Sequence, residues 1–431
     1  MKAIFRGAQF YENGKIKKQD MFFDGHTISL FTGEVFPSDA LVIDNTVIVP
    51  GFCDVHVHFR EPGFSYKETM KSGSLSAAAG GYTAVMTMPN LKPCPDSEEN
   101  LEIQLQAIER DAVIPVFPYG TITVGQMGEK LADIEGMADS VIGFSDDGRG
   151  VQSGDMMYEA MKRAKAVGRP IVAHCEDNSL LNGGYVHDGI YAKEHGHRGI
   201  SSASEYLPII RDIELVKKSG CKYHVCHVSA KESVEAIRAA KARGVDITCE
   251  TGPHYLTLDD SMLLEDGRFK MNPPIRAKAD REELIRGILD GTVDMIATDH
   301  APHSLEEKSR GLEGSLMGVV GLETAFSVLY TELVLGGALT LPALVRLMSE
   351  NPRERFGVKT DPGFAVFEVA EEYTVDPEQF VSMGRATPFK DMKVKGRCLL
   401  TVYNREPVYV NENYINNKYI APKATDKGKV G

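Results

Sequence analysis

The chain has 431 residues, which is enough for one large domain and a smaller one. Its 48 Lys and Arg against 61 Asp and Glu give a formal net charge of −13, which argues against general nucleic-acid binding but leaves room for an anionic substrate in a locally positive pocket. Seven scattered Cys without a CxxC pair, and no apolar run of transmembrane length, predict reduced thiols in a cytoplasmic protein.

Short alternating strands are predicted at both ends of the chain. Residues 1–47 contain runs such as KAIFRGAQF and ALVIDNTVIV, separated by turns at Gly14 and Gly25, and residues 358–431 have a similar pattern. We therefore expect one small β-sandwich domain built from residues 1–47 and 358–431, with a loose polar tail from Tyr419.

Residues 48–357 alternate short apolar runs with helical patterns, two of which end in Gly after basic residues. Repeated strand–helix units over this length predict a parallel (β/α)8 barrel, a TIM-like fold, with an open doubly wound sheet as the alternative. The eight strands are predicted to end at His58, Pro89, Ile122, Asp147, Asp177, Ser229, Tyr255 and His303.

The first predicted strand of the barrel, VIVPGFCDVHVHFR, carries the clearest chemical signal. Alternation along a strand places His56 and His58 on one face. Two imidazoles at the end of a buried strand suit a divalent metal ion, whereas a lone His is more simply a core residue. Asp54 has the same alternation but lies one step deeper, so we expect it to support the histidines.

Further candidate ligands follow the later strands, and active sites on this fold lie at the carboxyl ends of the strands. Four imidazoles and two carboxylates exceed the three ligands of a mononuclear catalytic zinc, so the sequence predicts a two-metal site with a bridging hydroxide that hydrolyses an amide-like bond. Asp299 is the expected general base and acid, and its alternative role is that of a helix N-cap. The predicted ligands are His56, His58, Asp147, His174, His227 and Asp299.

Other polar residues near these strands are predicted to be packed or supporting side chains. The repeat His195-Gly196-His197 is expected on a solvated loop, because no strand precedes it. Residues with the wrong alternation are expected to face away from the site, and those next to the ligands to support it. The first group is Cys175, Cys226 and His224, and the second is His254 and His300.

Several motifs occur in the order seen in one enzyme family. PGFCDVHVHFREPG, MPN, FSDDG, AHCEDN, CHVS, ETGPHYL, NPPIR and ATDHAPH make residues 45 to about 355 resemble the class I dihydroorotases of the amidohydrolase superfamily, and the resemblance weakens towards the C-terminus. The resemblance implies two zinc ions. The implied ligands are His56, His58 and Asp299 for one zinc, His174 and His227 for the other, and Asp147 as the bridge.

The same resemblance implies the substrate, dihydroorotate, a cyclic imide with a carboxylate that opens reversibly to N-carbamoyl-L-aspartate in pyrimidine biosynthesis. Arg60 lies two residues beyond His58, so it points to the same side and can bind a carboxylate; its alternative is an ion pair with Glu61 or Glu68. The polar segment 304–318 predicts a mobile loop near the substrate. The implied substrate contacts are His58, Arg60, Asn90, Asn272, His303, Met317 and Gly318.

Two other functions stay open at this point. One is a cyclic amidase like the hydantoinases and allantoinases, which usually bridge their metals with a carboxylated lysine; the stretch FSDD contains none. The other is a non-catalytic scaffold for aspartate transcarbamoylase, which the retention of every ligand disfavours. A homodimer and aspartate transcarbamoylase are the candidate protein partners.

Overall fold

The computed structural model describes residues 1–33 and 35–420, so most of the predicted tail lies outside the described residues. Five strands precede the central part of the chain, and the last of them crosses the domain boundary predicted at residue 47. They are β1 (Ala3–Glu12), β2 (Lys15–Phe23), β3 (Ile28–Leu30), β4 (Leu41–Asp44) and β5 (Thr46–Pro50).

The middle of the chain forms two parallel sheets, in the orders β6-β7-β8 and β9-β12-β13-β14, and a separate two-stranded ladder of β10 and β11. Almost every residue of these sheet strands is buried, as expected when both faces of a parallel sheet are covered. The strands are β6 (Phe52–Val57), β7 (Tyr82–Thr87), β8 (Val116–Pro118), β9 (Ile171–Ala173), β10 (Val186–His187), β11 (Gly199–Ile200), β12 (Tyr223–Val225), β13 (Ile247–Thr251) and β14 (Met295–Ile296).

Isolated parallel bridges join the two sheets into a closed barrel. Phe144 bridges to Gly120 on one side and to Ile171 on the other, and Val57 bridges to His300. The circuit therefore has eight β positions, and the open-sheet alternative is wrong. The fourth position is a single bridge residue, Phe144, in place of the predicted strand. Three residues further on, the Asp147 amide donates to Ser145 Oγ at 3.1 Å.

Five strands follow the barrel, and three of them join the N-terminal strands in one eight-stranded sheet with the order β19-β18-β15-β5-β1-β2-β3 and β4 beside β1. β1 pairs with β4 before Gly7 and with β5 after it, so its hydrogen bonds connect strands from both ends of the chain. The strands are β15 (Phe364–Glu368), β16 (Tyr373–Thr374), β17 (Lys393–Val394), β18 (Arg397–Tyr403) and β19 (Glu406–Val410).

Amphipathic helices cover the barrel. In α7, for example, Val234 and Ile237 are buried, while Glu232 in the first turn and Lys241 in the last complement the helix dipole. Short 3₁₀ and π segments complete the secondary structure. The helices are α1 (Met70–Ala79), α2 (Glu98–Asp111), α3 (Ile134–Met137), α4 (Gly154–Ala166), α5 (Ile190–His195), α6 (Ala203–Ser219), α7 (Lys231–Lys241), α8 (Pro253–Thr257), α9 (Lys278–Asp290), α10 (Leu305–Lys308), α11 (Gly311–Gly314), α12 (Ala325–Leu329), α13 (Leu341–Val345), α14 (Asn351–Phe356) and α15 (Glu412–Ile415).

Within residues 1–33 and 35–420, no helix combines the length and the apolar character that crossing a bilayer requires. The largest apolar cluster fills the space between the barrel strands and the surrounding helices, and a smaller one, with Phe5, Phe23 and Leu400, lies against the terminal sheet.

Candidate active site

The six predicted metal ligands lie together at the carboxyl-terminal rim of the barrel, and all of them are buried. His56 is the only one inside a strand. His58 follows β6, His174 follows β9 and His227 lies two residues beyond β12. Every strand ends earlier than predicted, so the rim consists of the short segments that leave the strands.

Asp147 lies at the centre of this cluster. Its Oδ1 is 3.4 Å from His56 Nε2, 3.4 Å from His227 Nε2 and 3.5 Å from His174 Nδ1, and its Oδ2 is 3.5 Å from His58 Nε2. One carboxylate thus faces four imidazoles, which is the position that a bridging ligand needs.

Asp299 faces the first two histidines from the segment that follows β14, three residues beyond the end of that strand. Its Oδ1 is 3.1 Å from His58 Nε2 and 3.5 Å from His56 Nε2. Both Asp299 and His227 have positive φ, 48° and 34°, in the region that non-glycine residues rarely adopt. Such backbone conformations concentrate at functional sites, where the surrounding structure holds them in place.

The donor set fits a metal cation. His56 Nε2 and Asp147 Oδ1 are buried and have no hydrogen-bond partner among the described residues. Ligands about 2.0–2.2 Å from a tetrahedral zinc stand about 3.4 Å apart, which matches the separations given above. Among the described residues, three sets of three ligand atoms lie close enough together to hold an ion. Two of them consist of predicted ligands, namely His56, His58 and Asp299, and His56, Asp147 and His227; the third is His56, Cys226 and Glu250.

The electrostatics of the cluster also favour a cation. Burial raises the cost of charge on the Asp147 carboxyl, yet the charge of His56 and the close imidazoles of His174 and His227 hold its pKa well below the usual range. Burial opposes charge on His56, but Asp147, Cys226, Glu250 and Asp299 raise its pKa well above the usual range. The site therefore stabilises anionic carboxylates and attracts positive charge.

Glu250, which the sequence analysis missed, supports this cluster from β13. Its Oε1 is 2.8 Å from His56 Nδ1 and its Oε2 is 2.9 Å from His224 Nε2. A carboxylate on Nδ1 fixes a histidine with Nε2 free to bind a metal. The alternation of β13 and the position of Glu250 in CETGPHYL were the available signals, but its partners lie on other strands.

Two predictions based on strand alternation are wrong. His224 and Cys226 face the interior beneath the site: His224 contacts Glu250, and the Cys226 sulfur lies within 4.8 Å of ligand atoms of His56 and Glu250. The reason is that β12 ends at Val225 and His227 leaves it with a positive φ, so its alternation no longer follows the strand. Cys226 is nevertheless a packed, buried thiol.

The other supporting residues mostly lie as predicted. Asp54 accepts hydrogen bonds from the amides of His56 and Thr298, and burial raises its pKa to about 7. Cys175 is buried beside the Tyr223 hydroxyl. His300 and His254 are also buried, with Nε2 atoms that lack a hydrogen bond within the described residues.

The repeat His195-Gly196-His197 lies away from the rim. His195 is exposed at the end of α5, so a short helix replaces the expected loop. His197 contacts the Tyr185 hydroxyl at 3.0 Å. Neither histidine belongs to the candidate metal cluster.

A cavity of about 190 Å³ opens beside the cluster, smaller than the roughly 300–1,000 Å³ of pockets for drug-sized ligands. All the predicted substrate contacts and five of the six predicted ligands line it, His56 being the ligand that lies beneath. The lining residues are His58, Arg60, Asn90, Asp147, Gly148, His174, His227, Asn272, Asp299, Ala301, His303, Met317 and Gly318.

Arg60 is buried, and its Nε donates to the Pro302 carbonyl at 3.1 Å, so the surface ion-pair alternative is wrong. Asn90 Oδ1 is 2.8 Å from His58 Nδ1, which leaves the Asn90 amide nitrogen on the cavity side near Asp147.

Asn272 donates to Glu176, a second residue that the sequence analysis missed. Glu176 Oε2 is 3.6 Å from His174 Nε2, and its Oε1 accepts the Asn272 bond at 2.9 Å. Glu176 follows His174 by two residues in the motif AHCEDN, which was the signal in the sequence.

A closed α/β barrel with histidines and carboxylates gathered at its carboxyl rim defines the amidohydrolase class. Solved structures agree in fold: an L-hydantoinase from Arthrobacter aurescens matches with a TM-score of 0.79 and 26% identity over 94% of this chain and 95% of that chain. A dihydropyrimidinase from Brevibacillus agri has the same TM-score of 0.79 at 21% identity, over 96% of both chains.

Sequence comparison shows to which family of the amidohydrolases the chain belongs. A family described as Dihydro-orotase-like matches residues 45–233. A dihydroorotase from Fusobacterium nucleatum is 47% identical over 423 residues, covering 96% of this chain and 100% of that protein. A dihydroorotase from Geobacillus thermodenitrificans is 44% identical over 92% of this chain and 95% of that protein. The chain belongs to the dihydroorotase family, and the likeness extends past the limit at residue 355 that the motifs predict.

Proposed function

We propose that this protein catalyses the reversible cyclisation of N-carbamoyl-L-aspartate to (S)-dihydroorotate, the ring closure of pyrimidine biosynthesis that releases water. The observation that carries this proposal is one small cavity in which a histidine–carboxylate cluster faces Arg60 and His303. One side of the cavity suits a reacting carbonyl, and the other suits a carboxylate.

Two zinc ions are the proposed cofactor, and when bound they would polarise the scissile carbonyl and lower the pKa of water from about 15.7 towards 7. The short separations around Asp147 Oδ1 support its role between the two ions. The proposed ligands are His56, His58 and Asp299 for one ion, His174 and His227 for the other, and Asp147 for both.

Asp299 is the proposed general base and acid. In ring opening its carboxylate accepts a proton from the attacking water and passes it to the leaving ring nitrogen; in ring closure the proton moves in the opposite direction. Its position supports this role, because Asp299 touches His58 and also lines the cavity. The helix N-cap alternative has less support, since the next helix begins at Leu305 and its N-cap is Ser304.

The substrate carboxylate is proposed to bind Arg60, Asn90 and His303. The Arg60 guanidinium offers a charged fork, and the Asn90 amide nitrogen is a further donor. Asn272 and the backbone at Met317 and Gly318 would contact the ring. A side chain at Gly318 (φ +134°) would lie 2.7 Å from the Ala301 carbonyl and 3.1 Å from His303, so glycine keeps this wall of the cavity open.

The remaining predictions about organisation are part of this proposal. The two halves of the terminal sheet share an apolar cluster with Phe5 and Leu400, which supports a small sandwich-like domain of residues 1–47 and 358–431 beside a catalytic barrel of residues 48–357. A cytoplasmic location, a homodimer and association with aspartate transcarbamoylase stay predictions.

The deciding experiment measures turnover of dihydroorotate by zinc-loaded protein, with and without a chelator, beside hydantoin and allantoin at equal concentration. We expect the protein to open the ring of dihydroorotate but not of hydantoin or allantoin. This activity should be lost when the chelator is added and restored by zinc. Preferred turnover of hydantoin or allantoin would support the cyclic-amidase alternative. No turnover of any substrate with metal still bound would support the scaffold.

A further inference from the structure

Lys67 is a buried cation behind the proposed carboxylate subsite, and none of the roles described above uses it. Its Nζ is 3.1 Å from His303 Nδ1 and 3.0 Å from Glu307 Oε1. His303 in turn lines the cavity with its other ring nitrogen, Nε2, which is 2.8 Å from the Met317 carbonyl and 3.4 Å from Arg60 Nη2.

The contacts of the two ring nitrogens decide where the single proton of a neutral His303 ring resides. An ammonium group has donors only, so Lys67 requires a lone pair on Nδ1, and the Met317 carbonyl requires a proton on Nε2. Arg60 and Glu307 favour the opposite arrangement, but both are more distant, with Glu307 Oε2 at 3.4 Å from Nδ1. Burial, together with the charges of Arg60 and Lys67, lowers the pKa of His303 to about 3, so the ring is neutral.

We propose that Lys67 is a positioning residue that fixes the tautomer of His303 with its proton on Nε2, so that the ring presents a donor to the substrate carboxylate. Arg60 and His303 then place two N–H groups 3.4 Å apart, and these cannot bond to each other. An anionic oxygen near both would accept from Arg60 and would share the Nε2–H of His303 with the Met317 carbonyl, which accepts it in this structure. This inference rests on the proposed function for the identity of the anion, whereas the tautomer itself does not depend on it.

Loss of Lys67 has a defined consequence in this geometry. In Lys67→Met, the nearest charged group to Nδ1 is Glu307, which has lost its ion-pair partner and favours a proton on Nδ1. The ring then presents a lone pair to the cavity and repels a carboxylate. Lys67→Arg keeps a cationic donor, and Glu307→Gln keeps Lys67 while it removes the competing carboxylate.

The test is nitrogen NMR of zinc-loaded protein with ¹⁵N-labelled histidine, with the His303 signals assigned by their loss in His303→Asn. We expect a protonated Nε2 and an unprotonated Nδ1 in the unsubstituted protein, in Lys67→Arg and in Glu307→Gln, and a population with protonated Nδ1 in Lys67→Met. A protonated Nδ1 in the unsubstituted protein would overturn the proposal even if no variant folded, and so would identical tautomers in Lys67→Met.

Kinetics provide the second readout. In Lys67→Met, the His303 ring no longer donates to the substrate carboxylate, and we expect KM for dihydroorotate to rise at least about tenfold. We expect kcat to stay within about twofold, because His303 contributes to substrate binding and not to the chemical step. Lys67→Arg is expected to restore KM. A tenfold fall in kcat of Lys67→Met with an unchanged KM would contradict the proposal. If the tautomer shifts as expected but the protein does not turn over dihydroorotate, the proposed function fails and the role of Lys67 towards His303 stands.

Discussion

At the scale of single residues, two carboxylates organise the candidate site in different ways. Asp147 lies among four imidazoles and presents oxygen atoms to the positions that metal ions would occupy. Glu250 lies beneath and contacts the far nitrogen of His56, so it controls which nitrogen is available. Substitution of Asp147 is therefore expected to affect the bridging of the two metal ions, and substitution of Glu250 to affect the affinity for metal.

Replacing Asp299 tests the proposed proton carrier. Asp299→Asn keeps the size of the side chain but cannot accept a proton, so we expect kcat to fall by about 10²–10⁴-fold, the usual contribution of a general base. The measurement is steady-state turnover beside metal content by elemental analysis, because Asp299 is also a proposed ligand. Full kcat with both metals bound would exclude Asp299 as the base.

Replacing Glu250 tests the support of His56. Glu250→Gln keeps the shape but removes the charge, and loss of such a partner weakens metal binding by about 10–100-fold. Competition with a chelator of known affinity measures the change. Glu323→Gln is the matched control, since Glu323 is another glutamate held by hydrogen bonds, from Ser76 and the amides of residues 381 and 382. Equal metal affinity in the two variants would contradict a specific role for Glu250.

At the scale of elements, the segments that follow the barrel strands carry most of the candidate site, whereas the strands themselves carry little of it. The segment 304–318, predicted as a mobile loop, contains α10 and α11 and is attached to the barrel by buried side chains. Lys308 donates to the carbonyls of Lys270 and Leu316 at 2.9 and 2.7 Å, and the Gly318 amide donates to Lys270. Its mobility stays a prediction, but its attachment point is defined.

Lys308 makes this attachment sensitive to pH. Burial, with Lys270 nearby, lowers its pKa from 10.5 to about 7. Below pH 7 both the folded and the unfolded chain carry the proton, and the full cost of the buried charge applies. Between about pH 7 and 10.5 the unfolded chain holds a proton that the folded chain has released, so this residue's contribution to stability rises with pH.

The free energy of unfolding of Lys308→Met, relative to the unsubstituted protein, is therefore expected to be more favourable at pH 6 than at pH 9. Urea unfolding at the two pH values measures it, and the exposed Lys278→Met serves as control. A relative stability of Lys308→Met that does not change between the two pH values would show that the folded pKa of Lys308 is not lowered.

At the scale of the whole molecule, the sequence alone predicts the barrel and most of the site. The repeated strand–helix pattern and the histidines at strand ends depend on local order along the chain, which one sequence displays. Glu250 was missed because its role depends on a contact with His56 on another strand, and Glu176 because its role depends on contacts with His174 and with the distant Asn272. The fourth position is reduced to bridges at Phe144, and β1 changes its partner from β4 to β5 around Gly7; alternation along the chain encodes neither feature.

The reaction as a whole consumes a proton on ring closure, because a carboxylate of N-carbamoyl-L-aspartate becomes part of a neutral imide. Above the carboxyl pKa of about 4, each rise of one pH unit should therefore lower the equilibrium ratio of dihydroorotate to N-carbamoyl-L-aspartate about tenfold. The ratio is measured by chromatography between pH 6 and 8, after zinc-loaded enzyme has brought the mixture to equilibrium from either compound. Asp299→Asn should slow the approach and leave the final ratio unchanged, since a catalyst lowers the barrier equally in both directions. A ratio that does not change with pH would mean that the bond formed is not the proposed imide.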